Sequence, residues 1–272
     1  MLARARRLEA RVLPHGWIDV LRQISLLFGA YFAYGLVRGL VDGRATAAFK
    51  HARELVHIER TLHLFIEPSL QAWASGSHVV MEVSSWLYVN AQGTISILAL
   101  LYVYLRHNSS FYFVRNMLLI GMALALVGYL VFPTAPPRFL PEWGFIDTVD
   151  RLTPVNVSEK SAVFNSLFNP YAAVPSMHVA FAVMIGWPLS RLVRSSIARV
   201  AWIVYPLVMT FVIVVTANHF IADALLGALT AGVSAYAARW LARVRPASWR
   251  FSGRERALAA PLPVGSSVRL GT

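Results

Sequence analysis

An all-α integral membrane protein, built as a bundle of six transmembrane helices with an amphipathic interfacial helix between spans one and two, is what this sequence predicts. Three observations predict it. Apolar residues make up 57% of the chain and charged residues only 14%, which is the wrong balance for a water-soluble domain. Six stretches are apolar over about the 20 residues that a bilayer core requires. Between the first two lies a segment whose apolar residues recur at helical spacing with charges interleaved.

The elements follow in chain order. Residues 1–19 are a cytoplasmic basic N-terminus. The apolar run behind it is long and lacks a small-residue cleavage site, so it reads as a signal anchor that is retained. The spans are predicted at 20–41, 79–105, 115–132, 176–193, 197–217 and 220–241. Pro188 and Pro206 fall inside two of them and are expected to kink a helix rather than end it, because neighbouring helices can satisfy the freed carbonyls. The segment "RATAAFKHARELVHIERTLHLFIEPSLQAWA" carries Leu55, Ile58, Leu62 and Phe65 at helical spacing and is expected to lie in the interface. Pro68 is expected to break it or bend it into a second short helix. The membrane catalytic domain is thus residues 20–245, and the Pro/Ser/Arg-rich residues 246–272 read as a cytoplasmic, disordered tail.

Charge sets orientation. The sequence holds 25 basic residues. With the N-terminus on one side, 17 of them fall on that side and eight on the other, which makes the first side cytoplasmic. The net charge of +12 fits this topology and contact with anionic membrane lipids. No basic stripe with interleaved aromatics appears, so nucleic acid is not an expected partner. With no cysteine, disulfides, thiolate zinc sites and cysteine nucleophiles are excluded together. His51, His57 and His63 stand six apart and point to different faces, which reads as a polar face rather than a metal site.

In this topology three polar clusters meet at the outer membrane surface. Span three ends there at "FPTAPPRFL", span four begins there at "VPSMH", and span six begins there at "TANHFIADALLG". His219 and Asp223 are four residues apart and share a helix face. An acid inside an apolar span is costly unless paired, so such a residue is a functional candidate. Ser176 occupies a helix-start position, where backbone N–H groups and the helix dipole favour an anion, and His178 lies in that helix's first turn. Arg138 follows two prolines, and a guanidinium suits phosphate oxygens bidentately. Together these residues form a set suited to phosphoryl transfer. A histidine held by an aspartate is a competent nucleophile, and the second histidine can protonate the leaving alkoxide and later activate water or an acceptor alcohol. The scheme requires no metal and no other cofactor.

The order Arg138, Pro175-Ser176-Met177-His178, His219 and Asp223 resembles the type 2 phosphatidic acid phosphatase superfamily. The likeness is nearer to its bacterial branch of inositol phosphorylceramide synthase-type phosphotransferases, where Pro-Pro-Arg, Pro-Ser-x-His and His-x-x-x-Asp recur. It extends from about residue 44 to 227. The resemblance implies that His219 becomes a phosphohistidine, that Asp223 orients it, that His178 is general acid and then base, and that Arg138 and Ser176 hold the phosphate. It also implies an integral protein of a bacterial plasma membrane with an extracytoplasmic active site, a lipid phosphate substrate, and an acceptor alcohol or second lipid as partner. Two cations of the phosphatase branch are missing. No lysine precedes Arg138 after Lys50, and Val212 and Ile213 stand where that branch has Ser-Arg. Arg151 or Lys160 are candidates to replace them, and the change favours a transferase over a phosphatase. The rival expectations are a small transporter using an intramembrane His–Asp pair, and a membrane scaffold.

Overall fold

Residues 16–39, 44–147 and 171–245 are described by the computed structural model, and among them the chain is all-helical, with one isolated bridge pair between Thr134 and Ala172. The basic residues before Gly16, Arg151, Lys160 and the tail after Arg245 lie outside the described residues. Eight helices follow in order: α1 Gly16–Gly39, α2 Ala45–Thr61, α3 Glu67–Ser75, α4 His78–Arg106, α5 Asn108–Val131, α6 Met177–Leu192, α7 Ser196–Val215 and α8 Ile221–Val244. Four of these, α4, α5, α7 and α8, are long and apolar enough to cross a membrane, and α6 is a shorter apolar helix.

Their exteriors are apolar as well as their cores. Ile197 is 84% exposed and Leu207 68%, an arrangement stable only where hydrocarbon replaces water. Inside, α6 is the central element and touches α4, α5, α7 and α8, while α1 packs on α5. Met117, Met184, Ile185 and Leu189 fill the core between them. Ser77 and Ser195 cap α4 and α7 by accepting from Val80 N and Ala198 N.

Two close approaches let the helices meet backbone to backbone. Pro206 lacks the N–H that would bond the Trp202 carbonyl, and α7 continues past it without ending. Gly186 of α6 lies against that carbonyl, where a Cβ would come within 2.5 Å of the oxygen. One layer over, Gly227 of α8 lies against Ser176 O, where a Cβ would come within 2.3 Å.

Two expectations change. The third span was drawn from Arg115, but α5 begins at Asn108, and Arg115 is buried inside the bundle rather than held in a cytoplasmic loop. Its guanidinium donates to Gln23 Oε1 at 2.6 Å and to Asn116 Oδ1, and it lies over the Tyr112 ring. Nearby, buried Asp19 accepts from the Tyr104 and Tyr112 hydroxyls. Polar partners on α1 and on α5 itself thus make burial of this charge tolerable. The second change is in α2. The helix ends at Thr61, before Phe65, and its buried stripe is Ala48, Ala52, Leu55, Val56 and Glu59, with Ile58 and Leu62 exposed. Small alanines on that face allow α2 to pack closely on Ala135, Phe145, Ala217 and Phe220. His63 takes a positive φ of 58° in the turn, and Pro68 sits at the start of α3, where its fixed φ and missing N–H cost nothing.

Candidate active site

Three connections converge at one end of the bundle. Pro136 and Pro137 stiffen the chain after α5, and residues Pro137–Phe139 form a single 3-10 turn. The Arg138 amide donates to Ala217 O at 2.9 Å, tying this turn to the α7–α8 connection. Ala217 holds φ at 51°, a left-handed conformation costing a non-glycine residue about 1 kcal/mol. The amides of Asn218 and His219 both fold back onto Ile213 O. That tight reversal delivers His219 just ahead of α8.

His219 Nδ1 lies 3.2 Å from Asp223 Oδ2. A carboxylate oxygen accepts, so Nδ1 carries the proton and Nε2 is the basic nitrogen. Asp223 is fully buried, and the same oxygen accepts from Phe220 N at 3.0 Å, which fixes its rotamer. His178, in the first turn of α6, donates from Nε2 to the Tyr88 carbonyl at 3.1 Å and stacks on the Tyr88 ring at 4.4 Å. A carbonyl can only accept, so Nδ1 is the basic nitrogen of the neutral His178 ring. The two imidazoles stand edge to face with centroids 5.7 Å apart.

Arg138, His178 and His219 line one cavity of about 90 Å³, together with Asn218. Asp147 sits 3.6 Å from the Arg138 Nε, and Phe139 lies under the guanidinium at 4.9 Å. Asp223 and Ser176 stand behind the cavity wall rather than on it. Ser176 is fully buried, its amide donates to Asp223 O at 3.0 Å, and its hydroxyl neither caps α6 nor meets any partner. The first α6 amides, which have no intrahelical acceptor, start beside it.

Several lining residues escaped sequence reasoning. Tyr34, Tyr88, Gln92 and Tyr129 also line the cavity. Tyr34 donates to the Tyr129 hydroxyl at 3.1 Å and Tyr129 to Pro175 O at 3.2 Å, so α1 is linked through α5 to the start of α6. Tyrosines near span ends are ordinary interfacial anchors, and nothing in the sequence separates these from the rest. His51 donates to Pro133 O at 2.7 Å and stacks on Phe132, which anchors α2 to the end of α5. Among the described residues no group of three or more His, Asp or Glu is arranged to hold a metal.

The family model of the PAP2 superfamily matches residues 53–237, from α2 to near the end of α8. The chain belongs to the PAP2 superfamily. Its matched span contains Arg138, His178, His219 and Asp223, and with its apolar helices it marks an integral membrane protein. Within this superfamily the chain is similar to a phosphoinositol dihydroceramide synthase of Bacteroides thetaiotaomicron, 32% identical over 142 residues. The match covers 46% of this chain and 42% of that protein, so less than half of the relative's length is shared. No solved structure matches the chain.

Proposed function

We propose that this PAP2 superfamily protein is a six-span membrane phosphotransferase. It acts on a lipid-linked phosphate or phosphodiester at the extracytoplasmic face of a bacterial plasma membrane. Residues 20–245 form the catalytic domain, α1 and α6 complete the six spans, and α2 lies in the interface. The observation that carries the reading is the His219–Asp223 pair facing His178 across a cavity whose wall also holds Arg138.

The chemistry proceeds in two displacements. His219 Nε2 attacks phosphorus, the bond from phosphorus to the alcohol oxygen breaks, and protonated His178 gives its Nδ1 proton to that oxygen. An acceptor hydroxyl then loses its proton to His178 and attacks the phosphohistidine, restoring both imidazoles. Attack requires reacting atoms about 3–3.5 Å apart, and two rings 5.7 Å apart leave one phosphorus centre between them. Asp223 holds the His219 tautomer that exposes Nε2, as the aspartate of a catalytic triad does. Arg138 and the α6 amides, with Ser176 beside them, hold the non-bridging oxygens.

Transfer to an acceptor alcohol or second lipid is favoured over hydrolysis on two grounds. The relative is a phosphoinositol dihydroceramide synthase by name. In addition, buried Val212 and Ile213 occupy the place of the phosphatase branch's second cation. The test is product analysis on purified protein with labelled lipid phosphates and chelator present. Wild type is expected to form a new phosphodiester when a polyol or lipid alcohol is added. His178→Ala is expected to lose about 10²–10⁴-fold in turnover with either acceptor. Release of inorganic phosphate at the same rate with and without acceptor overturns the transferase reading.

Arg138→Lys keeps the charge and loses the fork. It is expected to lower kcat/KM on the order of 10²-fold, a loss read in initial rates across substrate concentration. An unchanged kcat/KM removes Arg138 from the phosphate.

A further inference from the structure

Two carboxylates outside the cavity have no role in this scheme, and both are buried. Glu59 of α2 is 1% exposed and Glu67 of α3 is fully buried. Each has one oxygen on the start of α8: Glu59 Oε1 accepts from Ala222 N at 2.7 Å and Glu67 Oε1 from Ile221 N at 3.0 Å. The amide before these, Phe220 N, donates to Asp223 Oδ2. Three successive amides, 220 to 222, are therefore held by three carboxylates from three different helices. Such amides have no partner within their own helix, and the positive end of the dipole favours acceptors there.

That end offers only about half a positive charge, so three buried negative charges on it are too many. The outer oxygens show where a proton goes. Glu59 Oε2 and Glu67 Oε2 are buried and meet no donor group, while the two side chains lie within hydrogen-bonding reach of one another. Two carboxyl groups so placed are satisfied when one proton lies between them. The groups facing Glu59 are Glu67 from α3 and Asp223 from α8. Arg60, the nearest cation on its own helix, is turned away onto Trp143 and Phe65. Burial first, then Glu67, pushes the Glu59 carboxyl up to about 9.

We propose that Glu59 and Glu67 are positioning residues for the reaction, a carboxyl pair that shares one proton and clamps the first turn of α8, so fixing His219 and Asp223 against the cavity. This rests on the phosphotransfer reading for its catalytic consequence, though not for the pair itself. Neither residue lines the cavity, so the pair acts through the α8 backbone. The clamp joins α2 and α3 to the nucleophile's helix by hydrogen bonds that need no charge as long as the proton stays.

Glutamine tests it, because its amide reproduces the protonated acid: Oε1 accepts from the backbone and Nε2 donates to the remaining carboxylate. Glu59→Gln and Glu67→Gln are each expected to keep near wild-type kcat at neutral pH. Wild type is expected to lose kcat as pH rises toward about 9, and both variants are expected to lack that fall. The double glutamine variant places two amide NH2 groups face to face. It is expected to lose kcat on the order of 10²-fold with KM little changed, as misplacing a reacting group by about 1 Å does. A single variant that keeps the wild-type alkaline fall, or a double variant with wild-type kcat, overturns the proposal.

A second measurement needs no turnover. A carboxyl whose folded pKa is raised binds its proton in the native state over a range where the unfolded chain has released it. Its contribution to stability is complete below about 4.5 and is lost as pH rises to about 9. Wild-type Tm in detergent is expected to fall across that window more steeply than Tm of Glu59→Gln. Equal slopes overturn the shared proton even if no substrate is ever turned over. The expected slopes in a protein inactive on every lipid phosphate would instead remove the phosphotransfer reading and leave the clamp.

Discussion

His219→Ala is expected to abolish turnover, a loss of about 10⁴-fold or more, in a protein that still elutes and unfolds as wild type does. The size follows from the proposed chemistry, in which removing the covalent nucleophile leaves only binding and electrostatic stabilisation of the transition state. The fold is expected to survive because Asp223 keeps its bond from Phe220 N and the residue 219 amide remains on Ile213 O. Asp223→Asn is the informative companion. Asparagine can present an NH2 to His219 and favour the wrong tautomer, so a loss of up to about 10⁴-fold is expected with the nucleophile still present. A rapid acid-labile label on wild type, slow on Asp223→Asn and absent from His219→Ala, is the expected pattern. Turnover in His219→Ala within tenfold of wild type would sink the nucleophile assignment.

Gly227→Ala is expected to destabilise the bundle and lower activity together, against its own helix propensity. Alanine in a helix interior is worth up to about 1 kcal/mol over glycine. Here the new Cβ would lie 2.3 Å from Ser176 O, a backbone atom already accepting from Ala180 N, so no side chain can swing aside. Relief requires α8 to move off α6 by about an ångström, and overpacking of this kind costs about 1–3 kcal/mol. The movement also strains the 3.0 Å bond from Ser176 N to Asp223 O, one turn up the same face, and shifts the His219 partner. A drop in Tm in detergent with a matching drop in kcat is expected. Gly232→Ala is the control: nothing lies within 4 Å of a Cβ there, and its Tm is expected to hold or rise. Equal behaviour of the two variants would show that the close approach of α6 and α8 carries no strain.

The helices were legible because hydrocarbon leaves a strong periodic signal, and α4, α7 and α8 begin and end within a few residues of the predicted limits. Arg115 shows where that signal misleads. A charge marks the end of an apolar run in the sequence, yet partners 92 positions away can bury it. His219 and Asp223 could be read as a pair because four residues on one helix fix their separation. Glu59 and Glu67 could not, since what distinguishes them from solvated charges is contact with amides more than 150 residues away. One local hint existed. Glu59 continues the stripe of Ala48, Ala52, Leu55 and Val56, a register visible only once alanine is counted as a packing residue. The tyrosine wall lacked even that hint.

The 16 residues of α6 give a rod about 24 Å long, some 6 Å short of a typical hydrocarbon slab of about 30 Å. Arg191, Arg194 and Arg199 are exposed at its C-terminal end and must reach water, so the shortfall falls at the opposite tip, beside His178. With α6 as one of the proposed spans, His178 and His219 then sit sunk beneath the headgroup plane. The proposed lipid substrate would reach them by sliding sideways within its own leaflet, with its acyl chains still dissolved in the membrane.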